Sequence, residues 1–163
     1  MEPSQPDPLL ILQAMSEHGV EFIVVGGVCG VLHGAPITTF DLDLVHSREP
    51  GNVARLLAAL KELDARHRDP GGRTIRPTEA LLLSPGHQLL MTRHGPLDLL
   101  GEIGRHHGYP ELLPDTVTVT VSKDLRVRAL TLAALIREKE AAARAKDKAV
   151  LPILRRTLEE KSR

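Results

Sequence analysis

The sequence predicts an α/β (α+β) domain in which a mixed, partly antiparallel sheet is flanked by helices. Three observations lead to this prediction. A short β-branched apolar run at 22–25 lies between two helical patterns, two apolar segments at 87–92 and 96–100 are joined by a short turn, and helical periodicity resumes from about residue 131. Short β-branched runs are typical of buried strands, and a short link makes two strands an antiparallel hairpin. One sheet with helices packed against it follows from this pattern.

Length and composition limit the classes of protein to which this chain can belong. Its 163 residues, 42% hydrophobic and 26% charged, are typical of one globular domain. The 21 basic and 21 acidic residues balance, and aromatic residues are only 2%, so neither a global basic field nor base-stacking platforms favour nucleic-acid binding. Cys29 is the single cysteine, which excludes an internal disulfide. Without a secretion signal or a membrane-spanning run, we expect a cytoplasmic protein with no membrane partner.

The first half of the chain alternates helices with strands. Helices are predicted where apolar residues recur three or four positions apart, and strands where short apolar or alternating runs are bounded by turn residues. The predicted arm at 1–8 is disordered and ends where Asp7-Pro8 can cap and start a helix. The elements that follow are a helix from 9 that ends at His18-Gly19, a buried strand at 22–25, a glycine turn at 26–27, a short helix at 28–34, a strand at 38–45, a loop at 47–52 with a cap at its end, and a helix at 53–63.

The second half contains more strands and closes with helices. We predict that residues 9–163 form one domain whose C-terminal helices begin at about residue 131. In order, the predicted elements are a basic loop at 64–79, strands at 80–83, 87–92 and 96–100, a loop at 101–114, an antiparallel pair at the sheet edge at 117–121 and 125–130, a helix capped by Thr131, and a last helix with Pro152 near its start.

Two acidic residues in the strand at 38–45 are candidate metal ligands. Side chains alternate along a strand, so Phe40, Leu42 and Leu44 point one way while Asp41 and Asp43 share the other face. Neighbouring carboxylates repel each other unless a cation lies between them, and a hard divalent metal is the natural partner. The alternative is a half-exposed strand with acidic residues outward and no function.

Gly26 and Gly27 follow the first buried strand directly. Two glycines at a strand-to-helix junction allow a backbone or a phosphate to approach closely. The alternative is a tight turn that needs no ligand.

Asp98 and the basic loop are weaker candidates. Asp98 is the lone acid in an apolar strand, and beside Asp41 and Asp43 it would complete a three-carboxylate cluster. The loop at 64–79, which includes Arg68 and Arg76, could contact a polyanionic substrate or could be a solvated connection.

The order of these features resembles the minimal catalytic domain of the DNA polymerase beta-like nucleotidyltransferase superfamily. It is most similar to its small bacterial members of the toxin–antitoxin and aminoglycoside-adenylylating kind. The shared features are a strand, Gly-Gly, a short helix, a Thr-x-Asp-x-Asp strand, a helix and a later Leu-Asp-Leu strand, and they cover roughly residues 20 to 150 together with a similar helical tail. The tail residues that match are Leu132, Ile136, Lys139, Ala142, Arg144, Lys146 and Asp147.

The resemblance implies a role for each matching residue. Asp41 and Asp43 would bind magnesium that bridges a triphosphate, and Asp98 would hold a second magnesium ion and help to activate the acceptor hydroxyl. Two Mg²⁺ ions are therefore implied. The residues implied to contact the nucleotide are Gly26, Gly27, Thr39, Lys139, Arg144 and Lys146.

The activity implied is transfer of a nucleoside monophosphate from a nucleoside triphosphate to a hydroxyl of a small molecule, a tRNA or a protein. One position departs from the family pattern: Gly27 stands where a serine hydroxyl usually contacts the phosphates. That departure implies a weaker catalyst or a different nucleotide pose. Two alternatives remain, namely a weak or inactive nucleotide-binding module with a protein partner of the toxin–antitoxin kind, and a structural domain whose acids are coincidental.

Overall fold

The computed structural model describes residues 5–39, 41–142 and 144–162, and within them the chain forms one mixed sheet flanked by helices. The helices are α1 Pro8–Glu17, α2 Gly26–Leu32, α3 Pro50–Glu62, α4 Glu79–Leu83, α5 Tyr109–Leu112, α6 Leu132–Ala142 and α7 Ala145–Lys161. The strands are β1 Phe22–Val25, β2 Leu42–His46, β3 Arg66–His67, β4 His87–Thr92, β5 Gly95–Leu100, β6 Thr116–Ser122 and β7 Leu125–Leu130. The predicted α/β class with a mixed sheet is confirmed.

The sheet order, β3-β4-β5-β2-β1-β7-β6, places β2 and β1 at the centre. Strand β2 runs antiparallel to β1 and parallel to β5, whereas β1 runs parallel to β7. The predicted hairpin of β4 and β5 is antiparallel, and β6 pairs antiparallel with β7 at one edge, as predicted. Central strands are covered on both faces, which explains why all four residues of β1 are buried.

The first helix begins where its capping signal predicts. The Asp7 side chain accepts a hydrogen bond from the Leu9 backbone N–H at 3.1 Å, and Pro8 occupies the first helical position. Residues 1–4 of the predicted arm, and Phe40 of the predicted second strand, lie outside the described residues.

The strand predicted at 80–83 is wrong, because these residues form the helix α4. The Thr78 side chain accepts a hydrogen bond from the Leu81 backbone N–H, and Glu79 lies in the first turn, so the segment carries a helix start signal. A short apolar run has no periodicity of its own that separates a buried strand from one turn of helix. The capping residue decides between the two.

Three predicted loops also contain regular structure. Strand β3 lies in the basic loop and pairs antiparallel with β4, and α5 and a 3-10 turn interrupt the loop at 101–114. Asn52 is not a cap, because α3 begins two residues earlier at Pro50. Instead its buried amide binds the backbone of Glu21 and the carbonyl oxygen of Ser47, which ties the start of β1 to the end of β2.

Cys29 belongs to the hydrophobic core and is fully buried. Burial raises the pKa of its thiol to about 12, so the thiol stays protonated and packs as a small apolar side chain. None of the helices in the described ranges is long and apolar enough to cross a membrane.

His46 links β2 to α4, and we expect it to make the stability of the fold depend on pH. Its Nε2–H donates to the Leu82 carbonyl oxygen at 2.8 Å, and within the described chain its buried Nδ1 has no hydrogen-bond partner. Burial lowers the pKa of His46 below 6.5, so the folded protein keeps the ring neutral while the unfolded chain takes up a proton. The free energy of unfolding should therefore fall as the pH drops below about 6.5.

Replacing His46 with glutamine should reduce this pH dependence by at most about 1.4 kcal/mol per pH unit, the value for one linked proton. The measurement is urea unfolding at pH 7.5, 6.5 and 5.5. The exposed His106, replaced in the same way, is the control and should leave the slope unchanged. Equal slopes for the His46 variant and the original protein would contradict this assignment.

Candidate active site

Strand pairing brings two of the three predicted carboxylates side by side. Strands β2 and β5 are adjacent and parallel, and their register sets Asp43 directly beside Asp98. Because adjacent strands lie about 4.8 Å apart and in-register side chains share a face, the two carboxyl groups face the same space. Asp41 lies just before β2 and lines the same cavity. The juxtaposition of the three acids is a consequence of the sheet order.

The cavity has a volume of about 560 Å³ and two chemically different parts. One part holds the three carboxylates together with Gly26 and Lys146. The other part is an apolar wall with His87 and Glu138 beside it. The residues of the apolar wall are Leu89, Leu100, Ile103 and Leu135. Binding sites commonly combine a few convergent polar groups with an apolar lining of this kind.

The close approach of the three acids is electrostatically unfavourable. Burial, followed by the nearby Asp98 and Asp41, raises the pKa of Asp43 to about 7, while Lys146 acts in the opposite direction. Asp43 also shares a hydrogen bond with Asp98, so one proton between them partly relieves the repulsion. A divalent cation would relieve the same repulsion, and carboxylate oxygens are the ligands that magnesium prefers. The donor set therefore fits magnesium in its chemistry.

As they lie in the structure, the three carboxylates do not form a complete metal-binding site. Across the described residues, no group of three His, Cys, Asp or Glu side chains is arranged to hold a metal ion. Asp98 is instead engaged by Arg68, whose Nη2 donates to its Oδ1 at 2.5 Å. This ion pair was not predicted, because Arg68 belongs to a loop whose neighbours along the chain contain no signal for contact with β5.

Only glycine fits at position 26, because the backbone there lies against the Asp43 side chain. Its φ of +67° is a conformation that glycine adopts at little cost, and a Cβ atom at this position would overlap Asp43 Oδ2. The antiparallel pairing of Val25 with Asp43 produces this closeness, since Gly26 directly follows Val25. The backbone at Gly26 thus lies against the acidic cluster.

The structure also explains why position 27 is a glycine. A Cβ atom there would lie 2.6 Å from Thr39 Oγ1 and 2.9 Å from Thr39 Cβ, which is closer than side chains pack. Thr39 therefore occupies the space that a serine side chain would need. Gly27, Thr39 and Asp41 line a second, smaller cavity together with Lys146. A hydroxyl group remains at this end of the site, although it comes from a different residue.

Two of the three predicted basic residues are already paired. Lys139 donates to Asp147 Oδ1 at 3.1 Å, and Arg144 donates to Asp147 Oδ2 at 2.9 Å. Burial raises the pKa of Asp147, but the hydrogen bonds from the two cations outweigh it and leave the pKa below its ordinary value. All three residues line the cavity with the exposed Lys146. The pairing joins α6 to α7 and fixes where these cations lie.

Glu138 is a further carboxylate that lines the cavity and that sequence reasoning missed. Its Oε1 lies 2.8 Å from His107 Nδ1, which connects α6 to the segment between β5 and α5. Glu138 lies in a run of charged residues of α6, at 137–140, and such a run contains no local signal for this contact. Only the packing of α6 over the sheet brings it to the site.

Comparisons with known proteins agree on the fold. No family model matches the sequence, and no curated protein sequence matches it significantly. Among solved structures, the chain is similar to the lincosamide antibiotic adenylyltransferase LnuA in its lincomycin-bound crystal structure. The TM-score is 0.62 at 12% identity, covering 93% of this chain and 98% of that one.

Two further solved structures are similar over most of their length. One is the antibiotic-resistance factor ANT(2'')-Ia, with a TM-score of 0.59 and 15% identity over 91% of this chain and 80% of that one. The other is a nucleotidyltransferase from Thermotoga maritima, TM1012, described as putative, with a TM-score of 0.51 and 14% identity over 93% and 89%. The chain therefore shares the fold of these structures, which is the nucleotidyltransferase fold that the sequence resemblance implies.

Proposed function

We propose that this protein is a nucleotidyltransferase that moves a nucleoside monophosphate from a nucleoside triphosphate to a hydroxyl of a small-molecule acceptor. The observation that supports this most directly is the register of β2 and β5, which sets Asp43 beside Asp98, with Asp41 in the same cavity and the Gly26 backbone against them. Carboxylates that meet from neighbouring strands can hold the metal ions that a phosphoryl-type transfer uses.

Asp41 and Asp43 are the residues that would hold magnesium, and Asp98 would complete the set. When bound, the metal would neutralise the triphosphate and stabilise the charge that develops on the transferred phosphate. The acceptor oxygen forms a bond to the α-phosphorus, the bond from that phosphorus to the bridging oxygen of pyrophosphate breaks, and the hydroxyl proton passes to Asp98. Lys146, which is the exposed cation beside Asp43, would face the phosphates.

The apolar part of the cavity favours a small acceptor over a tRNA. Leu89 is 46% exposed and lines the cavity beside Asp98, its register partner on β5. An apolar wall next to the reacting groups suits the body of a small molecule, whereas a tRNA would be bound through basic surface. The same fold holds lincomycin in LnuA.

The test is a transfer assay with each of the four labelled nucleoside triphosphates, magnesium and separate pools of acceptors. The pools are hydroxyl-bearing antibiotics including lincomycin and aminoglycosides, bulk tRNA, and protein. We expect pyrophosphate release and a labelled product in a small-molecule pool, lost on addition of EDTA. If no triphosphate binds in a metal-dependent way, the proposal is wrong.

A second candidate is an inactive nucleotide-binding module that acts through a protein partner. The ion pair between Arg68 and Asp98 favours it, because it engages the carboxylate that would accept the proton. This candidate predicts nucleotide binding with no pyrophosphate release in any acceptor pool. Turnover at an ordinary enzymatic rate would exclude it.

A further inference from the structure

Arg68 belongs to a row of four side chains that lie next to one another across adjacent strands of the sheet. Its backbone N–H donates to the Leu89 carbonyl oxygen at 3.0 Å, Leu89 is the register partner of Asp98, and Asp98 is the register partner of Asp43. The row is therefore Arg68, Leu89, Asp98 and Asp43. All four line the cavity, so the guanidinium reaches across Leu89 to Asp98 on the same face.

Asp98 is consequently shared between two kinds of neighbour. On one side Asp98 shares a hydrogen bond with Asp43, and on the other side its Oδ1 accepts a hydrogen bond from Arg68 Nη2. The ion pair is largely shielded from solvent, with 29% of the Arg68 side chain and 15% of the Asp98 side chain exposed. An ion pair shielded to this degree is much less screened than one at the surface.

Two other arginines of the basic loop are paired away from the site. Arg73 pairs with Asp69, and Arg76 pairs with Asp64 and donates to the Ala65 carbonyl oxygen. Of these three arginines, Arg68 alone lines the cavity with the acids. Its position suggests a specific role rather than a general basic surface.

We propose that Arg68 competes with a divalent ion for Asp98, so that the nucleotide-free protein binds one ion at Asp41 and Asp43, and a second only together with a triphosphate. This inference rests on the proposed function. A guanidinium and a metal ion both need the lone pairs of the Asp98 carboxylate, and their charges repel each other. A triphosphate offers the guanidinium a second partner in the same cavity, because arginine binds phosphate oxygens in a bidentate manner. Arg68 then acts as a positioning residue that makes occupation of Asp98 depend on nucleotide.

The test counts Mn²⁺ ions by electron paramagnetic resonance in three forms of the full chain: the original protein, Arg68→Gln and Arg73→Gln. The Arg73 variant removes the same charge from the same loop, but its side chain is 74% exposed and bound to Asp69. We expect one tight Mn²⁺ for the original protein and for Arg73→Gln. Arg68→Gln should take up a second ion at least about tenfold more tightly, as the loss of one nearby positive charge implies.

Adding ATP, GTP, CTP or UTP should raise the count to two in the original protein, and Arg68→Lys should behave as an intermediate case. Equal Mn²⁺ counts and affinities for the original protein and Arg68→Gln would overturn the inference while leaving the proposed function intact. If instead the original protein shows no Mn²⁺ binding that Asp43→Asn removes, both the inference and the proposed function fail.

Discussion

Replacing Asp43 with asparagine is expected to reduce the proposed nucleotidyl transfer on the order of 10²–10³-fold, the range for losing one group that stabilises transition-state charge. Asp43 is central to the site, since Asp98 lies beside it in register, Asp41 raises its pKa, and the Gly26 backbone lies against its Oδ2. Asparagine keeps the shape but removes the charge and one metal-binding oxygen. The measurement is pyrophosphate release together with Mn²⁺ binding, and both should fall.

The fold should survive this change. Burial and two neighbouring acids already oppose ionisation of Asp43, so the neutral amide relieves repulsion rather than adding to it. The thermal midpoint in EDTA should therefore not be lower than that of the original protein. Asp124→Asn, which removes the same charge from the exposed turn between β6 and β7, is the control and should change neither activity nor metal binding. Full activity of the Asp43 variant would exclude the proposed site.

Replacing Gly27 with serine, the residue usual at this position in the superfamily that the sequence resembles, is expected to lower the proposed activity by ~10²-fold rather than raise it. The new Cβ would meet Thr39 Oγ1 at 2.6 Å. Thr39 would have to move, and because its hydroxyl donates to the Asp41 carbonyl oxygen at 3.5 Å, the displacement would pass to the acidic cluster. Misplacement of reacting groups by about 1 Å is enough for a loss of this size.

The effects of Gly27 and Thr39 on activity can be separated by combining substitutions at the two positions. Thr39→Ala alone should reduce activity, whereas Thr39→Ser should retain it if the hydroxyl takes the role of the missing serine. The double variant Gly27→Ser with Thr39→Ala should recover part of the activity lost by Gly27→Ser, because the closest contact is removed. Gly51→Ser is the control, since a side chain there meets only the flexible end of Arg55 at 3.6 Å. A Gly27→Ser variant that is more active than the original protein would show that Thr39 does not limit this position.

Much of the fold follows from local pattern. Strands β1, β4, β5, β6 and β7 are where apolar alternation and turn residues predict them, and Asp7 and Pro8 start α1 as expected. Strand β2 was predicted from residue 38 but begins only at Leu42, so Asp41 precedes the strand instead of lying in it. The failure at 80–83 has a local cause: four apolar residues fit either a strand or a turn of helix, and only the Thr78 cap selects the helix. Strand β3 was missed because two residues have no period and are stabilised only by pairing with β4.

The sequence by itself determined the types of residue in the candidate site: two acids on one face of a strand, a third on a later strand, and glycines after the first strand. Whether these meet was decided by the tertiary structure, because the parallel pairing of β2 with β5 joins residues 43 and 98, which are far apart along the chain. The same holds for Thr39 against Gly27 and for Arg68 against Asp98. Side-chain alternation acts over neighbouring residues, whereas strand order and loop packing are set by burial of the whole core.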